Sequence, residues 1–193
     1  YIPPEANDKD FVRIHGKINI KNNHKIITEN VLDMMHISYV HSFGNQMSPI
    51  PFEIKYKNIS DYGGKTTFYY NAGPTSMSSV IGNVKHVKVE NEFYLPDTTV
   101  TRVYAGDIVK TIVTHCFPIN ENESILFYDL YRNFLTHSMF NCLFEKQMDI
   151  TLNEDISILN NIHTKYNKGF MNTKYDITQM KYREKWNKHY MIE

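Results

Sequence analysis

Cysteine is scarce. Cys116 and Cys142 are the two in 193 residues, and neither stands in a Cys-x-x-Cys or Cys-x-His unit. Two thiols make no disulfide framework; both read as small apolar residues, and such usage fits a reducing compartment, cytoplasm or organelle stroma. A charge surplus is missing too. With 21 basic and 21 acidic residues the formal net charge is +0, and no basic run is interleaved with aromatics. Nothing here attracts a polyanion, which excludes nucleic acid as a partner. Long apolar runs are absent: Asn, Lys, Asp or His interrupts each within a few residues. That excludes a transmembrane helix, and the opening YIPPEANDKD lacks the charged-then-apolar order of a secretory signal. The chain starts at Tyr1 rather than Met, which reads as a piece cut from something longer.

What is present suits one domain. A chain of 193 residues buries about 70 % of its unfolded surface, enough for a core and a pocket. FVRIHGKINI (11–20) alternates like a strand, and a helical segment follows a polar KNNHK turn. Then come FEIKYKNI, KTTFYYNA, NVKHVKVENEFYL, TTVTRVYA, IVKTIVTHCF and SILFYDLYRNF, all β-branched and aromatic, separated by SDYGG, GPTSMS, PD, GD and PINENE. Gaps this short join antiparallel neighbours, because a parallel crossover needs a dozen residues or more. From about Leu135 the period changes, and Leu152, Ile156, Leu159 and Ile162 share one helical face. A last helix, DITQMKYREKWNKHY, opens on Asp176 as N-cap and ends basic. There is no repeat, low-complexity tract or linker. The expected fold is α+β, a single domain over 1–193: a curved antiparallel sheet packed on a long C-terminal helix, a helix-grip arrangement, with a short helix inserted early and a cavity between sheet and helix.

Within the early helix, ENVLDMMHISYVH (29–41) sets Asp33, His36 and His41 among apolar residues. Asp33 and His36 share a helix face, but His36 and His41, five residues apart, diverge on a regular α-helix and cannot chelate one ion from it. The spacing therefore predicts a π-turn or a helix end between them. The plainer alternative makes His36 a core contact and His41 a loop residue. Downstream, in NEDISIL (153–159), Asp155 falls on the apolar face while Glu154 points to solvent. A carboxylate aimed into a core needs a partner. Two imidazoles around a metal would supply one; a buried Arg or Tyr is the alternative, and Asp149 lies on nearly the same face.

The unit Asp33-x-x-His36-x-x-x-x-His41, preceded by Glu29-Asn30 and followed far downstream by Glu154-Asp155, resembles the catalytic domain of Rieske-type non-haem iron oxygenases. LYRNF (130–134) after HCFPINENES is most similar to the branch of pheophorbide a oxygenase. The resemblance runs from IITENVLDMMHISYVH to the final YREKW helix. It implies a mononuclear Fe(II) held by His36, His41 and Asp155, with the Asp33 carboxylate as an electron bridge hydrogen-bonded to a ligating histidine. Asn30 lies near the same helix face and is a candidate to line the site, a plain helix-surface amide being the alternative. The resemblance further implies electrons from a Rieske [2Fe-2S] cluster, a ferredoxin or reductase donor, a homotrimeric assembly, and O₂ and an apolar organic substrate to be hydroxylated, demethylated or ring-cleaved. The cluster requires Cys-x-His and Cys-x-x-His units, which these residues lack. Either the chain is a catalytic-domain fragment, with YIPPE near the junction, or the cluster resides on another protein. The alternative function is a helix-grip lipid or pigment carrier with a vestigial metal site.

Overall fold

The alternating runs become strands because β-branched and aromatic side chains pack well on a pleated surface. In a computed structural model, which describes residues 1–74, 76–162 and 173–191, they are β1 (Val12–Ile20), β2 (Phe52–Ser60), β3 (Gly63–Asn71), β4 (His86–Tyr94), β5 (Thr98–Ala105), β6 (Ile108–Asn120) and β7 (Glu123–Arg132). All pair antiparallel in one sheet of order β1-β7-β6-β5-β4-β3-β2. From β2 to β7 this is the expected meander. The first strand then pairs with the last, Val12 opposite Arg132 and Ile20 opposite Ser124. Of the expected separators, Thr75 in GPTSMS lies outside the described residues.

Three helices cover one face of the sheet. The first, α1 (His24–Leu32), is capped by Asn23, whose side chain accepts from the Lys25 N–H. His24 and Lys25, expected in a turn, are therefore helical, because the cap lies one residue before them. The long helix, α4 (Asn141–Leu159), follows α2 (His36–Val40) and the single turn α3 (Met77–Val80) in chain order. It buries Phe144, Met148, Leu152, Asp155 and Leu159. It ends before Ile162, which was expected on the same face but lies beyond the helix. The last, α5 (Ile177–Tyr190), packs against β3 and α1. Asp176 does precede it, yet the Asp176 carboxylate accepts from the Thr173 N–H and hydroxyl and so serves the preceding 3₁₀ turn. The grip is thus made by two C-terminal helices rather than one.

The largest core cluster joins Phe144, Met148 and Leu152 of α4 to Leu126, Tyr128 and Leu130 of β7 and to Ile26 and Ile27 of α1. Each such side chain contributes about 1.5–3 kcal/mol on burial. A second seam, Leu32, Phe93 and Tyr182, holds α1 and α5 to β4, and Arg183 of α5 forms an ion pair with Glu29 of α1. On the opposite face, Glu5 in an N-terminal 3₁₀ turn accepts from Arg102 (2.6 Å) and Thr111 (2.8 Å), while Arg102 also donates to Glu92 (2.9 Å).

Candidate metal centre

The chain between α1 and α4 carries the two histidines to Asp155 by interrupting the helix twice. Asp33 closes α1 in an extended conformation, and its Oδ1 accepts from the Met35 N–H at 2.8 Å, an Asx turn that starts α2 one residue later. Then α2 stops at Val40, and His41 is extended, at φ −85° and ψ 136°. The expected break between the histidines is therefore a termination rather than a π-turn. Gly44 folds the chain back beneath α2, donating to the His41 carbonyl at 2.9 Å; a Cβ there would strike the Ile37 carbonyl oxygen.

His36, His41 and Asp155 converge, with candidate ligand atoms within 4.8 Å of one another. The two Nε2 atoms stand 3.1 Å apart, and Asp155 Oδ1 is 3.8 Å from each. Partners on the far side of each ring assign the tautomers. The Asp33 carbonyl oxygen, which can only accept, faces His36 Nδ1 at 2.5 Å, and the Glu154 carboxylate faces His41 Nδ1 at 3.0 Å. Both Nδ1 atoms hold the proton, so in the neutral rings both Nε2 lone pairs point inward. Asp155 Oδ1 is buried there with no hydrogen-bond partner among the described residues. Three electron-pair donors aimed at one point repel unless a cation sits among them. Two nitrogens each about 2.1 Å from one ion, at right angles, stand about 3.0 Å apart, so the 3.1 Å spacing suits a shared metal.

Burial lowers His41 below its ordinary value, and His36 adds to that; Asp155 and Glu154 oppose it without prevailing. The ring stays neutral, as a ligand must. Burial alone would raise Glu154, but hydrogen bonds from Ser42 and His41 outweigh it and hold the carboxyl below the usual range. Phe43 stacks on His41 with ring centroids 4.9 Å apart.

Two expectations change here. Glu154 does not point to solvent: it accepts from His41 Nδ1–H and from the Ser42 N–H at 3.2 Å. Helical position alone missed it because both donors come from another element, within reach of a long side chain. The Asp33 carboxylate, for its part, does not meet His36; its backbone carbonyl does, since the carboxylate is engaged by the Asx turn. Asn30 lies aside: its carbonyl accepts from the Asp33 N–H, and Val31 rather than Asn30 lines the adjoining cavity.

That cavity, about 140 Å³, opens onto His36, His41 and Asp155 and is walled by Tyr70, Val89, Ile112 and Leu126 of the sheet with Met148 and Leu152 of α4. Of the strand aromatics, Phe68 and Phe93 are core, Phe127 is exposed, and Tyr70 lines the cavity. Lys110 also lines it. Sequence reasoning passed over this residue, although alternation along IVKTIVTHCF sets it on the same side as Ile112, Thr114 and Cys116.

An antiparallel sheet gripping helices, with two imidazoles and a carboxylate converging beside an apolar cavity, defines the catalytic-domain class of Rieske-type oxygenases. The chain belongs to the vanillate O-demethylase oxygenase C-terminal domain family, whose pattern matches residues 20–189. The pheophorbide a oxygenase branch is not the one this match names. No curated protein sequence matches the chain. Among solved structures it resembles dicamba monooxygenase bound to dicamba, at 15% identity and a TM-score of 0.75 over 97% of this chain and 61% of that one. It also resembles NdmA of Pseudomonas putida CBB5 with caffeine, at 14% identity and a TM-score of 0.74 over 95% of this chain and 54% of that one. At such identities the likeness is one of fold, and the chain spans 54–61% of the length of these structures.

Proposed function

We propose that the chain is an oxygenase domain whose His36, His41 and Asp155 hold one Fe(II) and whose cavity presents an apolar organic substrate to it. The observation that carries this reading is the pair of unprotonated Nε2 atoms opposed across 3.1 Å beside the orphaned Asp155 Oδ1. Two nitrogens and one carboxylate oxygen, with no thiolate, form the donor set of non-haem Fe(II) sites that keep positions open for O₂ and substrate. Bound there, iron would supply O₂ activation for hydroxylation, demethylation or ring cleavage. The chain's own part is positioning. Glu154 and the Asp33 carbonyl fix the two ring tautomers, and the apolar wall excludes water. Asp33 serves as the electron bridge: its carbonyl touches His36, while its Oδ2 has no partner among the described residues and is free for a donor group on a neighbouring subunit. The electrons would come from a Rieske [2Fe-2S] cluster, for which these residues carry no ligand pattern, supplied in turn by a ferredoxin or reductase in a trimeric assembly. A lipid or pigment carrier would leave the opposed lone pairs unexplained.

Nitric oxide, a stand-in for O₂, tests the open site without a known substrate. Anaerobic protein loaded with Fe(II) and exposed to NO should give the quartet-spin paramagnetic signal of a ferrous nitrosyl, and His36→Ala should lose it. The absence of that signal from the unmodified chain, or its survival in His36→Ala, contradicts the reading.

A further inference from the structure

Of the three side chains that converge, His41 alone stands off regular structure. His36 opens α2 and Asp155 lies within α4, whereas from His41 to Pro51 the chain is neither helix nor strand. A ligating ring has to be held to within about 0.5 Å of its working place, so this loop needs support from other elements. Gly44 supplies one side of it, packed beneath α2. The other side is the turn that follows β3.

Asn45 Nδ2 donates to the Ala72 carbonyl (3.1 Å) and Asn71 Nδ2 to the Ser48 hydroxyl (2.7 Å), which ties the loop to the end of β3 at two points. Beside them, Gly73 is buried and lies backbone against backbone on the loop: a Cβ there would strike the Phe43 carbonyl oxygen and stand 3.2 Å from that of Gly44. Ordinary carbon–oxygen contacts run about 3.3–3.6 Å. The φ of Gly73 is outside the left-handed region, so space rather than backbone conformation is what demands glycine here. Gly73 is itself pinned, since its carbonyl accepts from the Ser76 N–H (3.0 Å) and from the hydroxyls of Ser76 (2.8 Å) and Ser79 (2.7 Å). A side chain at this position therefore displaces the loop. What moves with the loop is Phe43, whose ring stacks on His41 with centroids 4.9 Å apart and planes at 15°.

We infer that Gly73 is a positioning residue of the metal centre: its missing side chain lets the turn after β3 serve as a platform that, through Phe43, sets the plane of the His41 ring. This rests on the oxygenase reading for which ion is held, but not for the orientation of the ring. Glu154 fixes which nitrogen of His41 carries the proton, and the Gly73 contact fixes where the other nitrogen points.

The test compares Gly73→Ala with Gly82→Ala. Gly82 lies in the same β3–β4 connection, and a Cβ there would meet the Ser78 carbonyl oxygen at 2.7 Å and the Ala105 side chain at 2.9 Å, a conflict of the same kind that involves no residue of the 41–51 loop. Both alanines should lower the melting temperature. Gly73→Ala alone should weaken Fe(II) binding by at least about tenfold in a chelator competition, and it alone should shift the His41 Nδ1–H signal in imidazole nitrogen-15 spectra of the metal-free protein. A His41 signal unmoved in Gly73→Ala, or losses in Gly82→Ala equal to those in Gly73→Ala, overturn the inference. Should Gly73→Ala fail to fold, Asn45→Asp and Phe43→Leu carry the test. Asn45→Asp keeps the Oδ1 that accepts from the Ser48 N–H but loses the donor to Ala72, and Phe43→Leu loses the stacked ring. Each should move the His41 signal, and a signal unmoved in either overturns the inference as well. The two readouts also separate the two claims: iron held equally well by the unmodified chain and Gly73→Ala refutes only the platform, and a His41 signal that moves in Gly73→Ala while the unmodified chain binds no iron refutes only the oxygenase.

Discussion

The Glu154 carboxylate shows how much of a metal site can lie outside its ligands. It fixes His41 through Nδ1 and ties the Ser42 N–H at the same time, so it orients the ring and keeps Nε2 free of a proton. Removing such a partner typically lowers metal affinity by about 10–100-fold without abolishing binding. Glu154→Ala should therefore weaken Fe(II) binding by that factor in a chelator competition; unchanged affinity would make Glu154 an idle surface residue. The three converging residues were legible in the sequence because an acid on an apolar helix face and a five-residue histidine spacing each demand a physical explanation. Glu154 was not legible, since its partners come from 112 and 113 residues away and no local periodicity reports them.

Elements were clearest where one pattern governs them. The runs from Phe52 onward alternate and are bounded by turns, so their antiparallel neighbours follow; the pairing of β1 with β7 does not, because it joins residues about as far apart as Val12 and Arg132. The N-terminal 3₁₀ turn was invisible for a related reason: it has no periodicity and is held by Glu5 on the far face of the sheet. Burial would raise Glu5, yet hydrogen bonds from Arg102, its own backbone and Thr111, together with the Arg102 charge, outweigh it and leave its carboxyl below the ordinary 4.5. A carboxyl so depressed contributes stability that is complete above its unfolded value and drains away as pH falls through the folded one. In calorimetric melts, Glu5→Gln should thus lower the melting temperature at neutral pH, with the gap from the unmodified chain closing as pH drops below 4.5. A gap independent of pH would show that the Glu5 charge does not anchor the turn.

For the whole molecule, the sheet and its helices act as a frame that carries residues from positions 36 and 155 into one 4.8 Å cluster and leaves an apolar cavity against it. Among the described residues no helix is long and apolar enough to cross a membrane, and both cysteines are free. The central claim is that His36, His41 and Asp155 hold the iron while Asp33 supports it from behind. Iron content of anaerobically purified chain, Asp155→Asn and Asp33→Asn, determined side by side, tests this most directly. The account predicts about one iron per chain in the unmodified protein and in Asp33→Asn, whose carbonyl contact to His36 survives the substitution, and almost none in Asp155→Asn. Iron retained by Asp155→Asn and lost from Asp33→Asn would contradict it, and would move the carboxylate ligand to the segment that carries the histidines.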